Sequence, residues 1–184
     1  NMIGEVSGTV KEPDLDVRLN GENLGFENIR FGKADVNIRF SNGRFSLEHG
    51  KILNGNSGLD ISGFARIFDP GGYKLLESPD FDVALKGDTL FLEDFVQGMK
   101  GKFVLNGRVN GSTDHPKGQI DLSGKNVDLN IQKLNEIKLT STIDNRQIHI
   151  DPLSVVIVPG EKIVLNGWVS MDKHYELNMA SSDI

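Results

Sequence analysis

Four histidines, two aspartate pairs and one Glu-Asp step could in principle do acid–base or metal chemistry, and their spacing supports neither. His49, His115, His149 and His174 never fall at ligand spacing to one another, and a chain without cysteine has no thiolate donor. His149 lies between Ile148 and Ile150, so it points to the wet face of an alternating segment. Asp14/Asp16 and Asp80/Asp82 resemble acid pairs or a calcium site. Yet Asp16 and Asp82 occupy the polar phase of their segments, and the glycine-spaced calcium loop of repeat proteins is missing. Edge solubility accounts for them better, and Glu93-Asp94 reads as the wet side of a short helix. The phosphate-cradling Gly-x-x-x-x-Gly-Lys loop, the Gly-x-Ser-x-Gly elbow and the His-Glu-x-x-His pair are all absent. No catalytic residue, metal ligand or cofactor is expected, and the chain is read as a non-enzyme.

The composition narrows the partners. A net charge of -6, with Lys and Arg scattered, argues against nucleic acid, whose phosphates call for a basic stripe. The longest purely apolar run, Val155-Val-Ile-Val158, is too short to span a bilayer as a helix.

The elements that would position any site are strands. Apolar residues alternate with Asp, Asn, Arg, Lys and Ser at Leu15, Val17, Leu19; at Val36, Ile38, Phe40; and at Phe81, Val83, Leu85. The pattern returns at Ile120, Leu122; at Val127, Leu129, Ile131; and at Ile163, Leu165. This period of two predicts antiparallel strands with one apolar and one wet face. Asn42-Gly43 fits a two-residue type I′ turn that sets Phe40 opposite Phe45 and Ile38 opposite Leu47; Asn145-Arg146 repeats it, pairing Ile143 with Ile148. Asp88 to Gly98 alone reads as helix, capped by Asp88, with Leu92, Phe95 and Val96 as its stripe and Gly98 as its stop. It would lid the sheet or serve as a helical loop between units.

The chain also repeats itself. Gly4-Glu-Val6-Ser-Gly8 returns as Gly107-Arg-Val109-Asn-Gly111, Pro13 as Pro116, Gly21 as Gly124 and Asn42 as Asn145. After one extra residue, Ile61-Ser-Gly63 returns as Leu165-Asn-Gly167. A fixed period marks a stacked array in which each unit closes its neighbour's core. One continuous array over 1–184 is expected, an internal duplication of about 1–106 and 107–184 with the second copy incomplete. Leu105, Gly107, Val109 and Ile61, Gly63, Ala65 keep one phase through the glycine, as do Leu165, Gly167 and Val169. These glycines therefore belong inside strands, on the apolar face where a sheet bends; the alternative is a plain turn.

The two cassettes resemble the AsmA-like superfamily of periplasmic proteins, and within it the TamB-type members (translocation and assembly module, anchored in the inner membrane). The resemblance rests on Leu165-Asn-Gly167-Trp-Val169, on the run from Gly107 to Leu122, and on Phe95-Val-Gln-Gly-Met-Lys-Gly101-Lys-Phe-Val-Leu105. It implies an all-β fold, a long sheet curled into a trough (a β-taco) with an apolar inside. It also implies a bridge across the Gram-negative periplasm, anchored outside this segment, that carries phospholipid between the inner and outer membranes.

The lipid groove would then be lined by the apolar-phase positions Leu15, Val17, Leu19, Val36, Ile38, Phe40, Phe81, Val83 and Leu85. Ile120, Leu122, Leu129, Ile137, Leu139, Ile150 and Leu165 would continue it. The ordinary alternative is that these residues form a closed sandwich core. A different function class is a scaffold that takes client strands of an outer-membrane barrel protein by β-augmentation. An outer-membrane barrel itself is excluded, because one Trp and two Tyr cannot supply aromatic girdles. An open apolar groove is also an aggregation hazard, so the isolated segment is expected to self-associate, groove to groove or edge to edge.

Overall fold

Alternation becomes strand along nearly the whole chain. The computed structural model describes residues 1–9, 12–26, 29–70 and 74–182, without the side chains of 24–26 and 29–31. The first six strands are β1 (Met2–Gly8), β2 (Pro13–Phe26), β3 (Ile29–Ser41), β4 (Arg44–Asn54), β5 (Ser57–Phe68) and β6 (Leu75–Phe91). A single helical turn, α1 (Leu92–Phe95), leads to β7 (Lys100–Ser112), β8 (Pro116–Asp128) and β9 (Lys133–Asp144). The last three are β10 (Gln147–Val156), β11 (Lys162–Ser170) and β12 (Tyr175–Ser182). Strand order in the sheet is the order in the chain, and neighbours pair antiparallel throughout. The result is one elongated, curled, all-β sheet.

Both expected type I′ hairpins form. Asn42 and Gly43 take positive φ, as do Asn145 and Arg146, and Phe40 faces Phe45 while Ile143 faces Ile148. The Phe40 and Phe45 rings lie 4.6 Å apart, and Phe68 joins them edge-on, 6.1 Å from Phe40.

Among the described residues no second layer covers the sheet. The buried apolar side chains among those residues are Val127 and Leu134, which face each other across β8 and β9, and Pro116 at the start of β8. The molecule exposes 12184 Å² of surface, where a compact monomer of 20.2 kDa would expose about 8,800 Å². A sandwich core would have buried that difference, so the closed alternative is not the structure that forms.

The duplication is kept in register, strand by strand. Gly4 faces Val17 as Gly107 faces Ile120; Ile38 faces Leu47 as Ser141 faces Ile150; Leu47 faces Gly63 as Ile150 faces Gly167. Even the irregularity between Leu47 and Gly50 returns between Ile150 and Leu153.

Gly63, Gly107 and Gly167 sit inside β5, β7 and β11, so the turn reading of these glycines falls. At Gly63 φ is 147°, and a Cβ there would run into the Asp82 carbonyl; at Gly167 φ is 151°, and a Cβ would meet the Glu176 carbonyl. Only glycine lets the neighbouring strand approach this closely. Gly107 is different: a Cβ there would rest at an ordinary 3.5 Å from Ile120.

Two expectations are corrected. The helix expected from Asp88 to Gly98 shrinks to one turn; Asp88 lies inside β6, and Phe91 stands at the N-cap without a side-chain cap bond. Pairing of Leu90 with Phe103 and Phe91 with Lys102 decides it, since extending the ladder satisfies more backbone than a short isolated helix would. Leu129 and Ile131 do not continue β8. The strand stops at Asp128, Leu129 opens a turn closed by its N–H to the Gln132 carbonyl, and Ile131 is 92% exposed.

Candidate functional site

The candidate site is a whole face of the sheet, assembled from one residue per strand. Following cross-strand partners, one row runs from Gly4 through Val17, Ile38, Leu47 and Gly63 to Val83 on β6. It continues through Val109, Gly118, Ile143, Ile148 and Val169 to Tyr175 on β12. The next row along the strands holds Leu19, Val36, Ile61, Leu85, Ile120 and Ile150, and on the other side Leu15 aligns with Phe40, Phe45 and Phe81 through Ala65. A further row joins Leu105, Leu122, Leu139, Leu153 and Leu165, and beyond it Phe103 aligns with Ile137, Val155 and Ile163. Rows on one face lie about 7 Å apart along a strand. These rows carry no charged side chain. Their one polar group in mid-sheet, the buried Ser141, donates its Oγ to the His149 carbonyl at 2.9 Å and so offers no free anchor.

Fifteen of the sixteen expected groove positions fall on these rows; Leu129 alone lies outside them, in its turn. The spacing did not single out Leu153, Val155 or Phe103, which belong to the same face.

The opposite face is charged and paired. Arg39 grips Asp14 with two hydrogen bonds, 3.1 and 2.7 Å, and Arg108 grips Asp82 with two, 2.8 and 2.6 Å. Each guanidinium holds its carboxylate below the usual aspartate range through those bonds. One aspartate of each apparent acid pair, Asp14 and Asp82, is therefore held in a cross-strand ion pair on the wet face, and Asp80 lies 4.0 Å from Arg66. Among the described residues, no group of three or more His, Asp or Glu side chains could hold a metal. One depression on this face, about 210 Å³ between Ile3, Glu5, Asp16, Arg18 and Asn37, is shallow and lined by mixed charges.

One end of the apolar face is closed. α1 lies against β3, β6 and β7, with Leu92, Phe95 and Val96 half-buried. It is fastened to the β4–β5 hairpin: Ser57 Oγ donates to Asp94 Oδ2 at 2.7 Å, the Asn56 N–H donates to the same oxygen at 3.0 Å, and Asn54 Nδ2 donates to the Asp94 carbonyl. Ser57 Oγ in turn accepts the Phe91 N–H at 2.7 Å, and Glu93 accepts the Gly101 N–H at 3.0 Å. No protein-family model, curated protein or solved structure matches the chain.

Proposed function

We propose that this chain is a non-enzymatic, lipid-conducting segment of the AsmA-like, TamB-type kind, its apolar face carrying phospholipid acyl chains across a Gram-negative periplasm. The observation that supports the reading is a charge-free apolar face, continuous over twelve strands and, among the described residues, covered by no second layer. At about 4.8 Å per strand the face gives a track of about 50–60 Å. An acyl chain laid on it gains about 0.8 kcal/mol per buried methylene, on the order of 10 kcal/mol gross, partly offset by ordering of the chain. A face without fixed polar anchors holds one stretch of hydrocarbon about as well as the next, which suits sliding along it.

The two open edges favour a second reading, a scaffold that takes strands of an outer-membrane barrel protein by β-augmentation. Site-specific photo-crosslinking in cells separates the two. Probes at Ile38 and Leu122, on the apolar rows, are compared with probes at Arg39 and Ser123 on the opposite phase. Lipid adducts confined to the first pair are expected. Protein adducts at the edges with no lipid at Ile38 or Leu122 would overturn transport in favour of the scaffold.

A further inference from the structure

One rim of the sheet, where β8 turns into β9 and β10 into β11, is basic and apolar at once. We infer that this rim docks on the surface of an anionic phospholipid bilayer, Ile131 and Val158 entering it while the lysines around them meet lipid phosphates.

The basic part is built by the ladder. Lys100 opens β7 with Lys102 beside it, Lys125 lies near the end of β8, Lys133 opens β9 and Lys162 opens β11. All stand on the wet phase: Lys100 faces Asp128, which faces Lys133, and Lys102 faces Lys125, which faces Glu136. Asp128 takes Lys133 at 3.8 Å, and Glu136 takes Lys138 at 2.9 Å. Lys100, Lys102, Lys125 and Lys162 are exposed and, among the described residues, stand in no ion pair. Positive charge is thus in excess here, in a chain whose net charge is -6. Glu136 feels it: the Lys138 hydrogen bond first, then the charges of Lys138, Lys125 and Lys162, hold its carboxyl below the usual range.

The ladder does not need this charge. In the first copy of the repeat Glu22 stands where Lys125 does and Lys33 where Glu136 does, an ion pair at 2.8 Å, and Asp35 stands where Lys138 does. Lys102 opposite Lys125 is a like-charge pair that costs the sheet stability until an anion lies beside it. At the other ends of these strands the charges are matched, Lys117 facing Asp144 and Arg146 lying 3.9 Å from Asp172.

The apolar part points to a bilayer. Ile131 is 92% exposed in the turn closed between Leu129 and Gln132, and Val158 is 46% exposed in the loop closed between Ile157 and Glu161. Both turns lie on the basic rim. An acidic protein surface would answer the lysines but offers no hydrocarbon beneath its charge, whereas a bilayer offers phosphate above hydrocarbon. Each lysine near such a surface tightens binding about fivefold at low salt.

Vesicle flotation tests the docking. The chain should bind phosphatidylcholine and phosphatidylglycerol in equal parts at least about tenfold more tightly than phosphatidylcholine alone, and high salt should remove the difference. Lys102→Gln with Lys125→Gln should weaken binding about twentyfold and Ile131→Ser about fivefold, with Lys117→Gln on the other rim leaving it unchanged. All four side chains are exposed, so the fold is not at stake. Because the chain lacks cysteine, an environment-sensitive dye on Ile131→Cys reads insertion directly. Its emission should shift to the blue with the anionic vesicles, and the same dye on Asp114→Cys should not shift. Equal binding to both vesicles, an equal loss from Lys117→Gln, or a dye at position 131 that stays in water would overturn the docking. Binding to neither vesicle would overturn it in favour of an acidic protein surface. Lipid adducts at Ile38 and Leu122 read the trough alone, so the docking and the transport reading fail separately.

Discussion

The β4–β5 hairpin and its repeat counterpart, the loop between β10 and β11, have the same ladder and opposite surroundings. In the first copy the hairpin tip is covered by α1, and Ser57 is buried with both its hydrogen bonds made. In the second, the loop from Ile157 to Glu161 is closed by its own backbone, the Ile157 N–H donating to the Glu161 carbonyl, and Val158 stands exposed. Leu53 nonetheless faces Gly58 just as Val156 faces Lys162. Register is thus a property of the repeat, written in its glycines and type I′ turns, and among the described residues the same ladder forms both with the α1 cover and without it.

The largest expected effects test the first half of that statement. Gly63→Ala places a Cβ against the carbonyl of Asp82 on β6, a strand fixed from its other side by β7. A loss of about 3 kcal/mol in urea unfolding is expected. Gly167→Ala makes the same clash against Glu176, but β12 is an edge and can give way, so about 1–2 kcal/mol is expected. Gly107→Ala, with ordinary room beside Ile120, should stay within about 0.5 kcal/mol. Three equal losses would mean that close approach does not set the cost, and three small gains would mean that chain entropy outweighs it.

Much of this ladder was legible because the two turns with Asn at positive φ and the in-strand glycines each leave a local signature. The rest was hidden by bulges. β10 passes from Ile148 and Ile150 to Leu153 and Val155, three residues on and of opposite parity, so strict alternation loses the face at Asp151-Pro152. β6 does the same between Gly87 and Leu90, so the break in alternation let Asp88 to Phe91 be joined to the one helical turn that follows at Leu92. That is why a strand end read as helix. At Leu129 the error runs the other way: alternation carried on in sequence after the backbone had turned, with Asn130 at positive φ.

Asp94→Ala tests the second half. It removes the acceptor for Ser57 Oγ and the Asn56 N–H, and should cost about 2 kcal/mol, with the Phe91 and Asn56 amides losing hydrogen-exchange protection. Glu161→Ala, at the bare counterpart, should leave both stability and exchange unchanged. If Asp94→Ala instead lowered protection throughout β3 to β7, the cover would be part of what sets the register.

The smallest expected effect separates the seam between copies from the pairing inside one. Arg39–Asp14 links β2 to β3 within the first copy, and Arg108–Asp82 spans β6 and β7, where the copies meet. Both carboxylates titrate below their ordinary 3.8 because the charged form is hydrogen-bonded to a guanidinium. A carboxylate depressed on folding adds stability that is present in full above its unfolded value and is lost as pH falls through the lower folded one. Asp82→Asn should therefore lower the urea midpoint slightly at pH 7, and the gap to the parent should close as pH drops below about 3.8. High salt should narrow it as well, since both pairs are solvent-exposed. Asp14→Asn should behave alike, because the geometry is the same. A gap that opened for Asp82 alone, and persisted in acid, would show that the seam between copies depends on something the ladder within a copy does not.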